Sequence, residues 1–492
     1  MVDLSTTYVA GGLSLASGLV LLPVAAQTIG LHVYGTWLAL SAVQQLFFAL
    51  DLGIPVTIVR FSAAATSGTG TGMSLNDIWV MGRRVLAVVG SCQFLAFLAV
   101  AALARESGNL DFSLLPLVVL GAGVFLVGVP VRLPLHVLQG TGHYSTTSFH
   151  LIAGTLIGQS LKVAAMVSGA PDVIVWLAVG DVLTVSLPGL LSYARLRRSR
   201  PFRFFTWPRA AGRQAPRSRD LVRFAGSNAM LATSGAIVTY VSTILVAVLL
   251  SPVAVSVFDA AMRIYQGGRR AQDMLMGPLL PWATRQVSPL ADGVTTLTGL
   301  LYRRVSRLVI LPMTVVLVVT VHVTPQLLDL WLGPQFTDAV VPLRLLLCVL
   351  VLQTLLIPGL LMRQARNLVG RYAWLTTAWM LLSVPATALL IWTQGLPGAA
   401  LGALIPLVLL FLPLLLVGHG ELLGRDKALP VQEVLITAAV AGLIATASVL
   451  SSVDGRLPSI GAAVAALAGV VLLATVVRAE LATVRREKAP SG

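Results

Sequence analysis

Residues 114–137 read LLPLVVLGAGVFLVGVPVRLPLHV, an apolar run whose single charge is Arg132. A membrane-spanning helix needs about 20 predominantly apolar residues, so this run is long enough to cross a bilayer. Comparable runs recur along the whole chain of 492 residues, of which 57% are hydrophobic and 11% are charged. An average soluble domain carries roughly 25% charged residues, and disorder requires low hydrophobicity. The sequence therefore predicts an all-α integral membrane protein.

The apolar runs predict about fourteen membrane-spanning helices, which is also the ceiling that the hydrophobic content sets. The predicted spans are 9–29, 35–59, 83–104, 114–137, 146–168, 173–194, 224–249, 254–283, 307–330, 341–362, 372–393, 397–418, 431–451 and 457–477. The predicted organisation is an N-terminal six-helix bundle (1–194), a basic cytoplasmic linker (195–223), a C-terminal six-helix bundle (224–418) and an accessory helix pair with a cytoplasmic tail (419–492).

The basic residues behind the net charge of +15 are distributed unevenly between the two predicted sides of the membrane. If the N-terminus is cytoplasmic, the predicted outer loops hold only Arg105 and Arg456, whereas residues 195–223 hold ten arginines against Asp220. Cytoplasmic loops of membrane proteins are enriched in Lys and Arg, so both termini are predicted to be cytoplasmic. We interpret the basic linker as a topological signal that meets anionic lipids at the cytoplasmic face, and we predict no nucleic-acid partner.

Motifs of soluble enzymes are missing from the sequence. There is no G-x-x-x-x-G-K-[ST] phosphate loop, no H-E-x-x-H and no paired C-x-x-C, so no cofactor or metal site is predicted. The predicted outer loops are short and offer no place for an extracytoplasmic active site. We therefore predict that the protein is not an enzyme.

Predicted span eight carries an unusual number of polar residues for a membrane helix. Residues 257–273 read VFDAAMRIYQGGRRAQD. At about 100° per residue, five polar side chains fall within roughly 80° of one another. These five, called the polar stripe below, are Asp259, Arg263, Gln266, Arg270 and Asp273, and Arg269 lies about 100° from the centre of the stripe.

Such a stripe cannot face lipid, so we predict that it lines a protein interior or a water-filled cavity and binds substrate. Guanidinium groups bind phosphate bidentately and stay charged, so an arginine-lined cavity suits an anionic solute. In the alternative interpretation the stripe is purely structural. Asp259 would neutralise Arg263 at i,i+4 spacing, and Asp273 would neutralise Arg270 at i,i+3 spacing.

Polar residues in the predicted first bundle are further candidates. Asp51 lies seven residues after Gln44 and would share its helical face in span two, where a hinge or packing role competes with ion coupling. Arg132 and Lys162 are interpreted as side chains that snorkel to the cytoplasmic surface. The Gly154-x-x-x-Gly158 pattern of span five predicts close packing against another helix.

Two stretches carry a family resemblance. The first is IGLHVYGTW at 29–37, followed by LDLG at 50–53 and by Arg60. The second is FDAAMRI at 258–264, with Pro278 and Pro281 after it. Together they resemble Wzx-type polysaccharide flippases of the multidrug/oligosaccharidyl-lipid/polysaccharide exporter superfamily, in which Tyr is common where this chain has Phe258.

The resemblance implies two six-helix bundles that work by alternating access in the bacterial plasma membrane. The implied cargo is an undecaprenyl-diphosphate-linked oligosaccharide, moved from the inner to the outer leaflet for cell-surface polysaccharide biosynthesis. A glycan polymerase and glycosyltransferases are the implied partners. Gln44, Asp51 and Arg60 are the candidates for coupling or gating.

Two other functions stay open at this point. One is an ion-coupled exporter of drugs or metabolites with the same fold, whose cationic cargo would be met by the two aspartates of the polar stripe. The other is a membrane scaffold in cell-envelope assembly, in which the stripe could be neutralised without consequence.

Overall fold

A computed structural model describes most of the chain outside the linker and the C-terminal tail. The described residues are 2–50, 53–67, 74–106, 113–199, 218–286, 323–365 and 369–420, with scattered positions from 310 to 321. Every regular element within these ranges is a helix, as the composition predicts. The predicted spans thirteen and fourteen lie outside the described residues.

The described residues of the first half of the chain form nine α-helices, and their positions overlap the predicted spans. They are α1 (Val2–Thr28), α2 (Gly30–Ala49), α3 (Ile54–Ser67), α4 (Leu75–Glu106), α5 (Leu114–Gly121), α6 (Val129–Val131), α7 (Leu133–Gly140), α8 (Tyr144–Val167) and α9 (Val173–Ser199). A π-helical segment, Ala122–Gly128, joins α5 to α6.

The second half begins with α10 (Ser218–Leu249) and α11 (Pro252–Gln286). Residues 323–332 belong to α12 and lead into a 3-10 turn, Pro334–Ala339. The other helices described in this half are α13 (Val340–Ala365), α14 (Gly370–Gln394) and α15 (Leu396–Gly420). Predicted span eight thus corresponds to α11, which is longer than predicted at both ends.

Predicted span two is wrong as a single helix, because the chain breaks between α2 and α3. Leu50 already has non-helical angles, and Gly53 has a φ of 70°, a value at which a side chain would be strained. The break is stabilised by Gln93 of α4, whose amide nitrogen donates to the carbonyl oxygens of Phe47 and Leu50. The carbonyl of Phe47 also accepts the N–H of Leu50, so Gln93 adds a second donor there and one at Leu50, in the last turn of α2.

Close packing of α8 against α9 confirms the interpretation of the Gly154-x-x-x-Gly158 pattern. A side chain at Gly158 would collide with the carbonyl of Gly180 and the hydroxyl of Thr184, and one at Gly154 would collide with Pro188. The two backbones can approach this closely because glycine has no side chain.

Seven helices in the described part of the chain are long and apolar enough to cross a membrane. They are Gly11–Thr28, Leu75–Leu103, Leu114–Gly140, Tyr144–Val167, Val173–Arg198, Pro334–Gln364 and Gly370–Gln394. Thr233–Leu249 and Leu396–Phe411 are shorter apolar helices. Large apolar side chains on these helices point outward, such as Leu95 at 66% and Trp392 at 82% exposure, as expected for a lipid-facing surface.

Contacts divide the chain into two compact units. The first unit comprises Met1–Arg263 with Thr376–Gly402, and the second comprises Ile264–Leu375 with Ala403–Gly492. In the first unit α8 packs on both α1 and α9, and α10 packs on α2. The predicted domain limits at the basic linker stay a prediction, since most of that linker lies outside the described residues.

Candidate functional site

The guanidinium of Arg263, in the N-terminal half of α11, is held by groups from three helices of the first unit. Its Nε donates to Oδ2 of Asp259 at 2.5 Å, one turn earlier on the same helix. Its Nη2 donates to the hydroxyl of Tyr34 on α2 at 2.7 Å, and its Nη1 donates to the carbonyl oxygen of Gly18 on α1. All three nitrogens are engaged, so the charge is balanced and its position is fixed.

Close approach of α2 and α11 brings Tyr34 within reach of Arg263. At Gly35 a side chain would collide with the carbonyl of Pro252, so only glycine fits there without movement. Nearby, the hydroxyl of Ser256 on α11 donates to the carbonyl oxygen of Leu31 on α2 at 2.7 Å. The Tyr-Gly pair in the stretch at 29–37 therefore has two separate contacts, one with the guanidinium and one with the partner backbone.

In the second unit, α11 is anchored to α13 by polar side chains outside the stripe. The amide nitrogen of Gln272 donates to the hydroxyl of Thr354 at 2.6 Å and to the carbonyl of Leu350 at 3.2 Å. The hydroxyl of Tyr265 donates to the side-chain oxygen of Gln353 at 3.3 Å. These contacts fix which side of α11 faces α13.

The second part of the polar stripe points to a different side of α11. Gln266, Arg270 and Asp273 lie roughly 120° around the helix from the residues that contact α13. Gln266, Arg269 and Arg270 are half-buried, and Asp273 is exposed. Their predicted role in substrate binding stays a prediction, as does pairing of Arg270 with Asp273, whereas pairing of Asp259 with Arg263 is present.

Neutralising both members of the Asp259–Arg263 pair is expected to cost less stability than neutralising one. Asp259→Asn or Arg263→Gln alone leaves a largely buried charge without its partner, which costs up to about 3–5 kcal/mol in comparable pairs. The double variant leaves neither charge. Thermal unfolding of the purified variants in detergent should therefore rank the double variant above both single ones, and additive losses would contradict a direct pair.

The three predicted coupling residues of the first bundle differ in how far the structure describes them. Gln44 is fully buried on α2, and neither atom of its amide has a hydrogen-bond partner in the structure as described. Asp51 lies outside the described residues. The shared helical face of Gln44 and Asp51 stays a prediction, and α2, which carries Gln44, ends at Ala49. Arg60 lies on α3, and its role stays a prediction.

A buried ion pair in the first unit was not among the predicted sites. Lys162 of α8 pairs with Asp181 of α9, and the two residues are 3% and 9% exposed. The snorkelling interpretation of Lys162 is therefore wrong, because a carboxylate on the neighbouring helix meets the ammonium inside the bundle. The available signal was Asp181 itself, an acidic residue within predicted span six.

Other charged side chains make individual contacts. The guanidinium of Arg132 lies over the ring of Phe48, 4.9 Å from its centroid. Arg344 donates to the carbonyl of Val321 at 3.3 Å, and buried Arg363 donates to that of Val417 at 2.6 Å. In the ranges that the structure covers, no group of three or more His, Cys, Asp or Glu side chains is arranged to hold a metal ion.

Of the comparisons with known proteins, the one with solved structures finds similar folds. No family model matches the sequence, and no curated protein matches it either. Among solved structures, the lipid II flippase MurJ in an inward closed conformation is similar with a TM-score of 0.65 at 10% identity, over 96% of this chain and 99% of that one.

Two further transporters show the same likeness. An inward-facing multidrug resistance MATE family transporter of the MOP superfamily has a TM-score of 0.58 at 17% identity, over 86% of this chain and 96% of that one. A MOP superfamily transporter from Pyrococcus furiosus has a TM-score of 0.53 at 17% identity, over 87% of this chain and 94% of that one.

These similarities show that the chain shares the fold of these transporters. The prediction of an all-helical, multi-pass membrane protein is confirmed at this level, and the fold implies about 12–14 spans. The narrower likeness to Wzx-type flippases, and the orientation of the termini, stay predictions.

Proposed function

We propose that this protein is a flippase that moves an anionic, diphosphate-linked lipid oligosaccharide from the inner to the outer leaflet by alternating access. The observation that carries the proposal is the guanidinium of Arg263, placed among α1, α2 and α11 inside the bundle. Ionisable groups at such positions are costly and mark transport pathways by default. A fixed guanidinium is suited to a phosphate group.

The physical demands of the cargo agree with this arrangement. A polyprenyl tail can remain in lipid throughout, so only the sugar–diphosphate head needs a polar route. Desolvating that head is expensive, and arginines along the route offset part of the cost. Arg270 lies on the same stripe of α11 as Arg263, on a side of the helix that does not face α13.

The extent of the fold likeness also supports a flippase. The likeness to the MurJ lipid II flippase covers 96% of this chain, whereas the likeness to the MATE transporter covers 86%. In the predicted layout, an accessory helix pair follows the two six-helix bundles. In that layout the pair would border a groove for the lipid tail.

The second candidate is an ion-coupled exporter of small molecules. The observation in its favour is the acidic half of the polar stripe, because Asp273 is exposed and would meet cationic cargo. The MATE transporter to which the chain is similar is described as a multidrug resistance protein. The pairing of Asp259 with Arg263 weighs against it, since that carboxylate is already balanced.

Reconstitution separates the two candidates. The purified chain is incorporated into liposomes with a fluorescent undecaprenyl-diphosphate disaccharide, and accessibility to a membrane-impermeant quencher is followed over time. We expect faster equilibration than in protein-free liposomes, and no acceleration of the matched polyprenyl glycoside without phosphate. Movement of ethidium but not of the diphosphate lipid would instead establish the exporter.

A further inference from the structure

The buried Lys162–Asp181 pair lies in a small polar pocket that the proposed transport route does not use. The ammonium of Lys162 on α8 donates to Oδ1 of Asp181 on α9. The hydroxyl of Ser41 on α2 donates to Oδ2 of the same carboxylate at 3.4 Å. The face of the Trp37 ring, also on α2, lies 5.3 Å from the ammonium nitrogen.

The pocket encloses the lysine along its length. A side chain at Gly180, next to Asp181, would meet Cγ of Lys162 at 2.6 Å, so the aliphatic stem packs directly on the α9 backbone. Lys162 is 3% exposed and Trp37 is 2% exposed. The ammonium is therefore held where it is by contacts with two neighbouring helices, α9 and α2, and it does not reach solvent.

The chemistry of the pocket is that of a site for a monovalent cation. A carboxylate oxygen and a hydroxyl oxygen are hard ligands, and the face of an indole ring attracts a cation through its quadrupole. A buried carboxylate needs a counter-charge, because the unpaired anion would cost several kcal/mol on transfer from water. Here an ammonium that is part of the chain supplies that charge.

The pocket and the Arg263 cluster share one face of α2. Tyr34, Trp37 and Ser41 follow one another at i, i+3 and i+7, which places them on the same side of the helix. Tyr34 contacts Arg263, while Trp37 and Ser41 contact the lysine pair. Each ion pair is neutral by itself, so neither needs a mobile ion for balance.

We propose that the Asp181 pocket is a monovalent-cation site in which the ammonium of Lys162 is the permanent occupant. The first unit therefore works without binding sodium or potassium at this carboxylate. The inference goes beyond the proposed function, because it concerns the ion requirement of the fold and holds for any cargo. It predicts that removing the lysine side chain turns Asp181 into a site for a dissociable ion.

The test measures thermal unfolding of the full-length protein in detergent with sodium, potassium or choline chloride at equal ionic strength. The wild-type protein should unfold at the same temperature in all three salts. Lys162→Met should lose stability in choline and regain it saturably in sodium or potassium, by at least about 3 °C. Lys162→Arg keeps a cation on the chain, so its unfolding temperature should be the same in all three salts.

A second variant separates ion binding from simple loss of packing. Lys162→Met combined with Asp181→Asn removes the carboxylate and should show no cation dependence. Saturable stabilisation of the wild-type protein by sodium or potassium would overturn the proposal even if Lys162→Met failed to fold. A folded Lys162→Met variant with no preference among the salts would overturn it as well. Neither readout depends on the cargo, so both are distinct from the flippase test.

Discussion

Replacing Arg263 and Arg270 together with alanine is expected to abolish export of the lipid-linked glycan. We expect the protein still to insert and accumulate, although the unpaired Asp259 lowers its stability. Each charge-assisted hydrogen bond to phosphate contributes about 1.5–3 kcal/mol, so losing both guanidinium groups should slow transport at least about 100-fold. The measurement is transport of the diphosphate lipid in liposomes, with membrane levels of the protein followed in parallel.

Two controls make this result specific. Arg197→Ala with Arg198→Ala removes the same number of charges from exposed positions near the end of α9, and transport should be unchanged. Adding Asp259→Asn and Asp273→Asn to the first double variant restores the charge balance of α11 without restoring the guanidinium groups. If that fourfold variant transported normally, anionic cargo would not be recognised by this stripe.

The largest expected effect on stability comes from Gly35→Leu. A side chain at this position meets the backbone carbonyl of Pro252, and a backbone cannot rotate away as a side chain can. Overpacking of this kind typically costs 1–3 kcal/mol and occasionally more, so we expect about 3 kcal/mol or greater. The readout is the thermal unfolding temperature, together with the fraction of protein that elutes as a single species.

Gly12→Leu is the matched control for that variant. Gly12 lies in α1, and a side chain there would meet nothing within 4 Å. The same substitution should therefore leave the unfolding temperature nearly unchanged. Equal effects of Gly12→Leu and Gly35→Leu would show that helix propensity, and not the contact between α2 and α11, determines the loss.

The helices themselves could be predicted from hydropathy because each one must bury its own backbone hydrogen bonds in lipid. Spans such as 173–194 and 372–393 therefore agree with α9 and α14. The break at Gly53 could not be predicted in this way, because the carbonyls of Phe47 and Leu50 there accept hydrogen bonds from Gln93 on a different helix. A hydropathy value is a mean over many residues of one segment, so it does not register a single polar contact with another helix.

The contacts of the candidate site could likewise be predicted only in part from the sequence. The i,i+4 pairing of Asp259 with Arg263 depends only on helical spacing, and it is present. The contacts of Arg263 with Gly18 and Tyr34 join residues that are far apart in sequence, so periodicity along one helix contains no information about them. The Lys162–Asp181 pair joins two predicted spans, so the periodicity of span five alone contains no information about it either.

Full engagement of the Arg263 guanidinium has a consequence for how tightly a cargo can bind. A headgroup that reaches this arginine must exchange places with the carboxylate of Asp259, the hydroxyl of Tyr34 or the carbonyl of Gly18. The net gain in such an exchange is less than the full value of the new hydrogen bonds, because hydrogen bonds within the protein are lost in return. A carrier of this kind should hold its cargo with modest affinity, and modest affinity is what permits release on the far side of the membrane.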